Sequence, residues 1–374
     1  MLMNQEVRMG LRLKVARKRA RLTQQQLADA LGMAHRQTLA RIESGQRGFS
    51  AQELIEAMKI LRVDLDYFTD PFQLAGEGEF SFRTTADVGN AVLDDFEYSA
   101  GRWLALYREL SIEQGREQPW LQSRLPLTPQ SSFEDAQAAG EWVADRWQLG
   151  EPPAESLRSA MENHASILVL NVDTPPGISG AASRVSGLNC VLVNRHDSER
   201  HRHFDLAHEL FHLFTWDAMP PDRTDVVDVP RNGNGWRVER LAENFAAALL
   251  MPESILREHW ERQSTQADVH ERIDEVADAL RVSGTACKWR LHNLAWLSRA
   301  ELDRIEDRRF ATNGRIPPAA REATPFSQPF IDRIATALDT GRLSVRRTAS
   351  LLDLAVPDLA SLLRDYGHET YFEA

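Results

Sequence analysis

The chain has 374 residues, enough for two to four domains of average size. Its 43% hydrophobic and 26% charged residues are ordinary for a folded globular protein and exclude a disordered or fibrous chain. The net charge of −11 is unevenly spread: residues 1–47 hold ten Lys or Arg against three acids, a net of +7, which leaves −18 on the rest. A basic head on an acidic body points to a polyanion partner for the head alone. No apolar run approaches the roughly 18–20 residues needed to span a bilayer. The N-terminus lacks the continuous apolar core and small-residue cleavage site of a signal peptide. Cys190 and Cys287 are too few for a disulfide framework. A cytoplasmic, reduced protein with no membrane association is expected.

Residues 11–68 read as four or five short helices. "LRLKVARKRARL" places Leu11, Val15 and Leu22 on an apolar face. "LTQQQLADALG" starts at an N-cap, Thr23, and closes at Gly32. "RQTLARIESG" ends at Gly45, and "SAQELIEAMKIL" has Ser50 as its N-cap. Two short helices joined by a Gly-containing turn make a helix-turn-helix, whose second helix enters the DNA major groove. Gln24 and Gln25 stand at a helix start where amides meet phosphate. Arg36, Gln37, Thr38 and Arg41 line the exposed face of the recognition helix, with Arg47 just beyond it. These motifs, with "LIEAMKILRVDLDYF", resemble the XRE (lambda-repressor-like) family over about sixty residues. The turn "GMAHRQT" is one residue longer than usual, which leaves the base-reading side chains open. The resemblance implies a double-stranded DNA partner and a homodimer on two half-sites.

Residues 71–130 are expected to be a linker ("DPFQLAGEGEF") followed by a helical connector, with Val88, Val92, Trp103, Leu106 and Leu110 on one face. Ser131 opens a capping box with Glu134. "SILVLNV" and "NCVLVN" are strands, and "TPPGISGAAS" between them reads as a hairpin-like connection.

"HFDLAHELFHLF" carries the chemistry. His208 and His212 are four residues apart, so on a helix both imidazoles reach one tetrahedral Zn²⁺, with Glu209 beside the first as a proton acceptor. Downstream, "ERLAENFAAALLMPES" is an Ala- and Leu-rich helix stopped by Pro252, with Glu239 and Glu243 one turn apart. Glu239 as third ligand and Glu243 as a carboxylate orienting a ligand histidine fits a zinc protease; the swapped assignment stays open. His201 and His203 lie upstream without an evident metal role.

"RHFDLAHELFHLF" with "ERLAENFAAALLMP" resembles the ImmA/IrrE family of metallopeptidases, over roughly residues 133–300. The resemblance implies zinc held by His208, His212 and Glu239, with Glu209 as general base. The chain departs where the family usually has Asn: position 243 is Glu. A "DNA-binding protease" reading follows, in which an XRE-type head (1–70) precedes a zincin-like peptidase domain (131–307) that cleaves a repressor-type protein. That substrate is a partner encoded nearby or the chain's own segment near residues 70–87, in a stress, DNA-damage or mobile-element response. The competing expectation is a regulator or antitoxin whose zinc domain only senses or scaffolds. Residues 308–374 are a linker and a small helical module, again helix-turn-helix-like, with Arg342, Arg346 and Arg347 on a basic face and a packing role. The fold class expected is α+β, mainly α with a small sheet.

Overall fold

The computed structural model describes residues 5–74, 78–84, 88–116, 124–185, 187–226, 234–263, 268–311, 322–370 and 372. Five helices build the head: α1 (Gln5–Arg19), α2 (Gln24–Ala30), α3 (Arg36–Glu43), α4 (Ala51–Leu61) and α5 (Leu65–Thr69). Capping boxes start α2 (Thr23 with Gln26) and α4 (Ser50 with Glu53), which satisfies backbone N–H groups that the first turn leaves unpaired. Gly45 sits at φ +69, and a Cβ there would meet the Val7 backbone at 2.6 Å, so this turn requires glycine twice over.

The buried face of α1 is not the expected one. Leu13 and Ala16 enter the head core with Leu27, Leu39, Ile42 and Phe68, whereas Leu11 and Val15 are half-buried. The reason is that two arginines are buried beside Leu13 and Ala16 and read as polar in the sequence. Arg12 donates to the carbonyls of Tyr67 (3.1 Å), Asp70 (2.9 Å) and Gln73 (2.5 Å), and Arg17 grips Glu43 through Nε (2.5 Å) and a second nitrogen (3.2 Å). Part of the head's basic charge therefore works inside the fold rather than on DNA.

The body begins with β1 (Gly78–Thr84) and α6 (Asn90–Glu113), then α7 (Phe133–Arg146) and α8 (Pro153–Ala165). Three strands follow, β2 (Ile167–Val172), β3 (Ile178–Val185) and β4 (Leu188–Asn194), before α9 (Glu199–Thr215), β5 (Thr224–Val226) and α10 (Asn234–Leu250). Shorter helices continue: α11 (Glu253–Arg262), α12 (Val269–Ala279), α13 (Gly284–Asn293), α14 (Arg299–Leu302) and α15 (Asp307–Ala311). The chain closes with α16 (Gln328–Asp339), α17 (Val345–Leu352) and α18 (Val356–Asp365). The strand order is β2-β4-β3-β1-β5, with β1/β3 and β3/β4 antiparallel and β2/β4 and β1/β5 parallel. Helices above a small mixed sheet make this an α+β protein.

Two expectations fail here. Residues 78–84, placed in a linker, are strand β1; the segment Ile178–Val185, placed partly in a hairpin-like connection, is strand β3. The centre of β3, Ser179 to Ser183, is small and conceals the strand, whereas β1 alternates Phe80 and Phe82 behind a Gly- and Glu-containing lead. What makes them strands is burial on both faces. Ile167, Val169, Ala182, Val191 and Val193 enter a core with α7–α13, while Leu168, Leu170, Val172, Ala181 and Leu192 enter a second core on the other side. This alternation is the period-2 pleat of a sheet covered twice.

The second core joins α6 to α16, α17 and α18 across the sheet, so the expected connector and C-terminal module pack as one layer. On α6, Trp103, Leu106 and Leu110 are buried as expected, but Val92 is 41% exposed and Leu93 and Phe96 take its place. The capping box before α7 is Ser132 with Asp135, one residue later than Ser131 with Glu134. Arg342 and Arg347 of the basic face are spent on ion pairs to Glu113 and Asp70. With Arg8–Glu109 (2.9 Å), the latter ties head to body.

Among the described residues no helix is long and apolar enough to cross a membrane. One glycine sets how closely two helices of the body approach. A Cβ on Gly140 of α7 would lie 2.4 Å from the Phe245 carbonyl oxygen and 2.9 Å from the Leu249 nitrogen of α10. Gly140→Ala is therefore expected to cost roughly 1–3 kcal/mol through overpacking, read as a lower urea midpoint. An unchanged midpoint would contradict this account of α7–α10 packing.

Candidate metal centre

Helix α9 starts at Ser198, whose hydroxyl accepts the His201 N–H at 3.3 Å, with Glu199 in its first turn. From Asp205 to Thr215 every residue is buried, because β3 and β4 lie beneath the helix and α8 and α10 against it. A helix covered on all sides carries its polar residues into the interior, where each needs a partner. Here those residues are Asp205, His208, Glu209 and His212.

The two imidazoles face each other, His208 Nε2 to His212 Nε2 at 3.0 Å. From α10, Glu239 brings one carboxylate oxygen to 3.2 Å from His208 Nε2 and 3.4 Å from His212 Nε2. Ligand atoms at 2.0–2.1 Å around a tetrahedral Zn²⁺ are about 3.3 Å apart, so the three separations match the edges of such a site. The donor set fits the ion chemically as well. Burial, helped by the charge of Arg83, pushes the His208 imidazole down to about 3, so it is neutral with a free lone pair. Burial alone would raise the Glu239 carboxyl, but the two facing imidazoles outweigh it and hold the group well below the usual carboxylate range.

Glu209 is also buried, and that burial pushes its carboxyl up to about 8, with His212 and Arg83 opposing. A carboxylate this reluctant to stay charged is a good proton acceptor. One turn before His208, the fully buried Asp205 meets Arg83 Nε of β1 at 3.2 Å. Asp205 also groups with His201 and Asp197, but that trio is half open to solvent at His201 and its buried member already has the arginine.

Glu243 is not part of the centre. Its carboxylate accepts a hydrogen bond from Arg240 at 2.7 Å, and His208 Nδ1 is buried without a hydrogen-bond partner among the described residues. The polar residue that α10 buries is the next one, Asn244. It accepts from Gln137 of α7 (2.8 Å) and Asn293 of α13 (3.1 Å) and donates to the Arg240 carbonyl (2.8 Å). An amide inside "ENFAAALL" was the available signal for this cross-brace, which holds α10 in place behind Glu239.

In the head, Arg36, Gln37 and Arg41 are exposed on α3 with no side-chain partner among the described residues, and Thr38 is half-buried. Gln24 and Arg47 are engaged internally: Gln24 donates to Glu43 at 2.7 Å, and Arg47 makes two 3.0 Å bonds to Glu53. Gln25 donates to Asp29 at 2.7 Å on the surface.

Residues 163–292, spanning β2 to α13, match the family described as the IrrE N-terminal-like domain, a peptidase family, and residues 13–68 match a helix-turn-helix family. The chain carries an IrrE-like peptidase domain behind a helix-turn-helix head. No curated protein matches it. The match to the IrrE-like domain contains both α9 and α10, hence His208, His212 and Glu239. The protein is thus a DNA-binding protein with a metallopeptidase-type domain.

If the three side chains form one site, loss of one must be felt by the ion. Glu239→Ala is expected to weaken Zn²⁺ binding by more than about a hundredfold, measured by competition with a chromophoric chelator. Retention of wild-type affinity would remove Glu239 from the site.

Proposed function

We propose that the protein is a zinc-dependent endopeptidase that regulates transcription by cleaving a repressor-type protein. The observation that carries this reading is the convergence of His208, His212 and Glu239 beside a buried Glu209. Zn²⁺ bound there supplies a Lewis acid that lowers the pKa of water to about 7 and polarises a peptide carbonyl. His208 and His212, kept on one helix face by the i, i+4 spacing, and Glu239 from α10 would hold the ion. Glu209 takes the water proton as attack proceeds and delivers it to the leaving amine. Burial raises the proton affinity of the Glu209 carboxyl, the direction in which it takes up a proton more readily.

Of the chain's own expected cleavage segment near residues 70–87, residues 75–77 and 85–87 lie outside the described residues, and residues 78–84 form β1, whose last five residues are buried between β3 and β5. A protease reads an extended, accessible segment, so cutting there requires β1 to leave the sheet. The head, with Arg36, Gln37 and Arg41 free on α3, directs the enzyme to DNA as a dimer on two half-sites, where a DNA-bound repressor is the available partner.

Glu209→Gln separates the roles. It is expected to keep Zn²⁺ and DNA affinity and to lower peptide hydrolysis by about 10²–10⁴-fold. In cells, new protein N-termini present with wild type and absent with the variant identify the substrate. Identical N-termini under DNA damage and other stresses would leave the domain a non-catalytic sensor. Conversely, Arg36→Ala with Arg41→Ala is expected to weaken duplex binding and flatten its salt dependence by about 0.9 per lost phosphate contact, with hydrolysis of a free peptide unchanged. Wild-type duplex affinity in that double variant would move the DNA surface off α3.

A further inference from the structure

On the face of the sheet opposite α9, α6, the stretch after β2 and the α17–α18 corner border an open cleft of about 680 Å³. This is within the range of about 300–1,000 Å³ typical of small-molecule sites. Its inner wall is aromatic and continuous. Phe96 meets Trp103 edge-on at 6.4 Å between centroids, and Trp103 meets Phe326 likewise at 5.5 Å. Leu352, Leu354 and Leu362 complete the apolar part.

The charged part of the lining has one sign. Asp95, Asp173, Asp353, Asp358 and Asp365 all line the cleft, and no Lys, Arg or His does among the described residues. Asp173 pairs with Arg195 (2.5 Å) and is hydrogen-bonded to His196 (2.6 Å). For the other four, no cation stands in ion-pair range among the described residues. Several exposed carboxylates on the rim of an apolar floor repel one another and attract a positive charge. A bare metal ion gains little from the aromatic wall, and a neutral apolar ligand gains nothing from the carboxylates.

We propose that this cleft binds a small organic cation with an apolar body, an alkyl guanidine or alkyl diamine. Its hydrocarbon lies on Trp103 and Phe326 and its charged ends meet the aspartates of α6 and α18. The site is built by the C-terminal helices and α6 rather than by the metal centre. It lies one helix from the head: α17, which provides Leu352 and borders Asp353, also carries Arg347, the partner of Asp70. A cation seated there therefore bears on the helix that touches the end of the DNA-binding head.

The test is titration calorimetry of the full chain with agmatine at 0.15 M NaCl. Saturable binding of one agmatine per chain is expected, weakened at least about tenfold in Asp358→Asn with Asp365→Asn. Ser361→Arg, which brings a guanidinium to the cleft from α18, is expected to abolish it; both changes are at exposed positions, and Glu209→Gln is expected to bind as wild type. No saturable heat with wild type would overturn the proposal. So would equal affinity in both cleft variants, which would mean that agmatine binds elsewhere on the acidic body.

Discussion

Three lone pairs aimed at one point inside a protein repel each other unless a cation stands between them. His208, His212 and Glu239 are in that position, 3.0–3.4 Å apart with both histidines buried and Glu239 half-buried, and much of the body holds them there. The sheet forms a floor under α9, α7 presses α10 close through Gly140, and Asn244 cross-braces α10 to α7 and α13. A site assembled from two helices that are 27 residues apart in sequence, His212 to Glu239, depends on those contacts as much as on its ligands.

The same layer of contacts explains why the chain is organised as it is. A sheet buried on both faces needs two helical layers, and the matched peptidase family accounts for only part of them. The second layer is drawn from α6, before the matched region, and α16–α18, after it. Because that layer pairs with the head through Arg347 to Asp70 and through Glu109 to Arg8, it stands between the DNA-binding head and the candidate metal centre. Arg12, with three carbonyl acceptors at the exit of the head, fixes the start of this route.

Much of this was legible in the residues. The i, i+4 histidines, the greasy helix carrying Glu239 and the caps at Thr23 and Ser50 are local signals, and local signals survive in sequence. β3 was missed because its central residues are small and its burial comes from distant helices; β1 carries the alternating Phe80 and Phe82 but was read as linker because Gly and Glu residues lead into it. Arg12 and Arg17 misled the reading of α1 since a buried, fully partnered arginine looks like a surface one. Glu243 was misassigned because one-turn spacing guarantees a shared face, but the way α10 lies across α9 lets only Glu239 reach the imidazoles. Asn244, one residue on, holds the interior place that Glu243 was expected to fill.

The most direct test of the central claim is X-ray absorption at the zinc edge on the purified full chain. The account predicts a first shell of two imidazole nitrogens and carboxylate or water oxygens at about 2.0–2.1 Å, losing its imidazole signature in His208→Ala with His212→Ala. A shell containing sulfur near about 2.3 Å, or one unchanged by that double substitution, would place the metal elsewhere and contradict it.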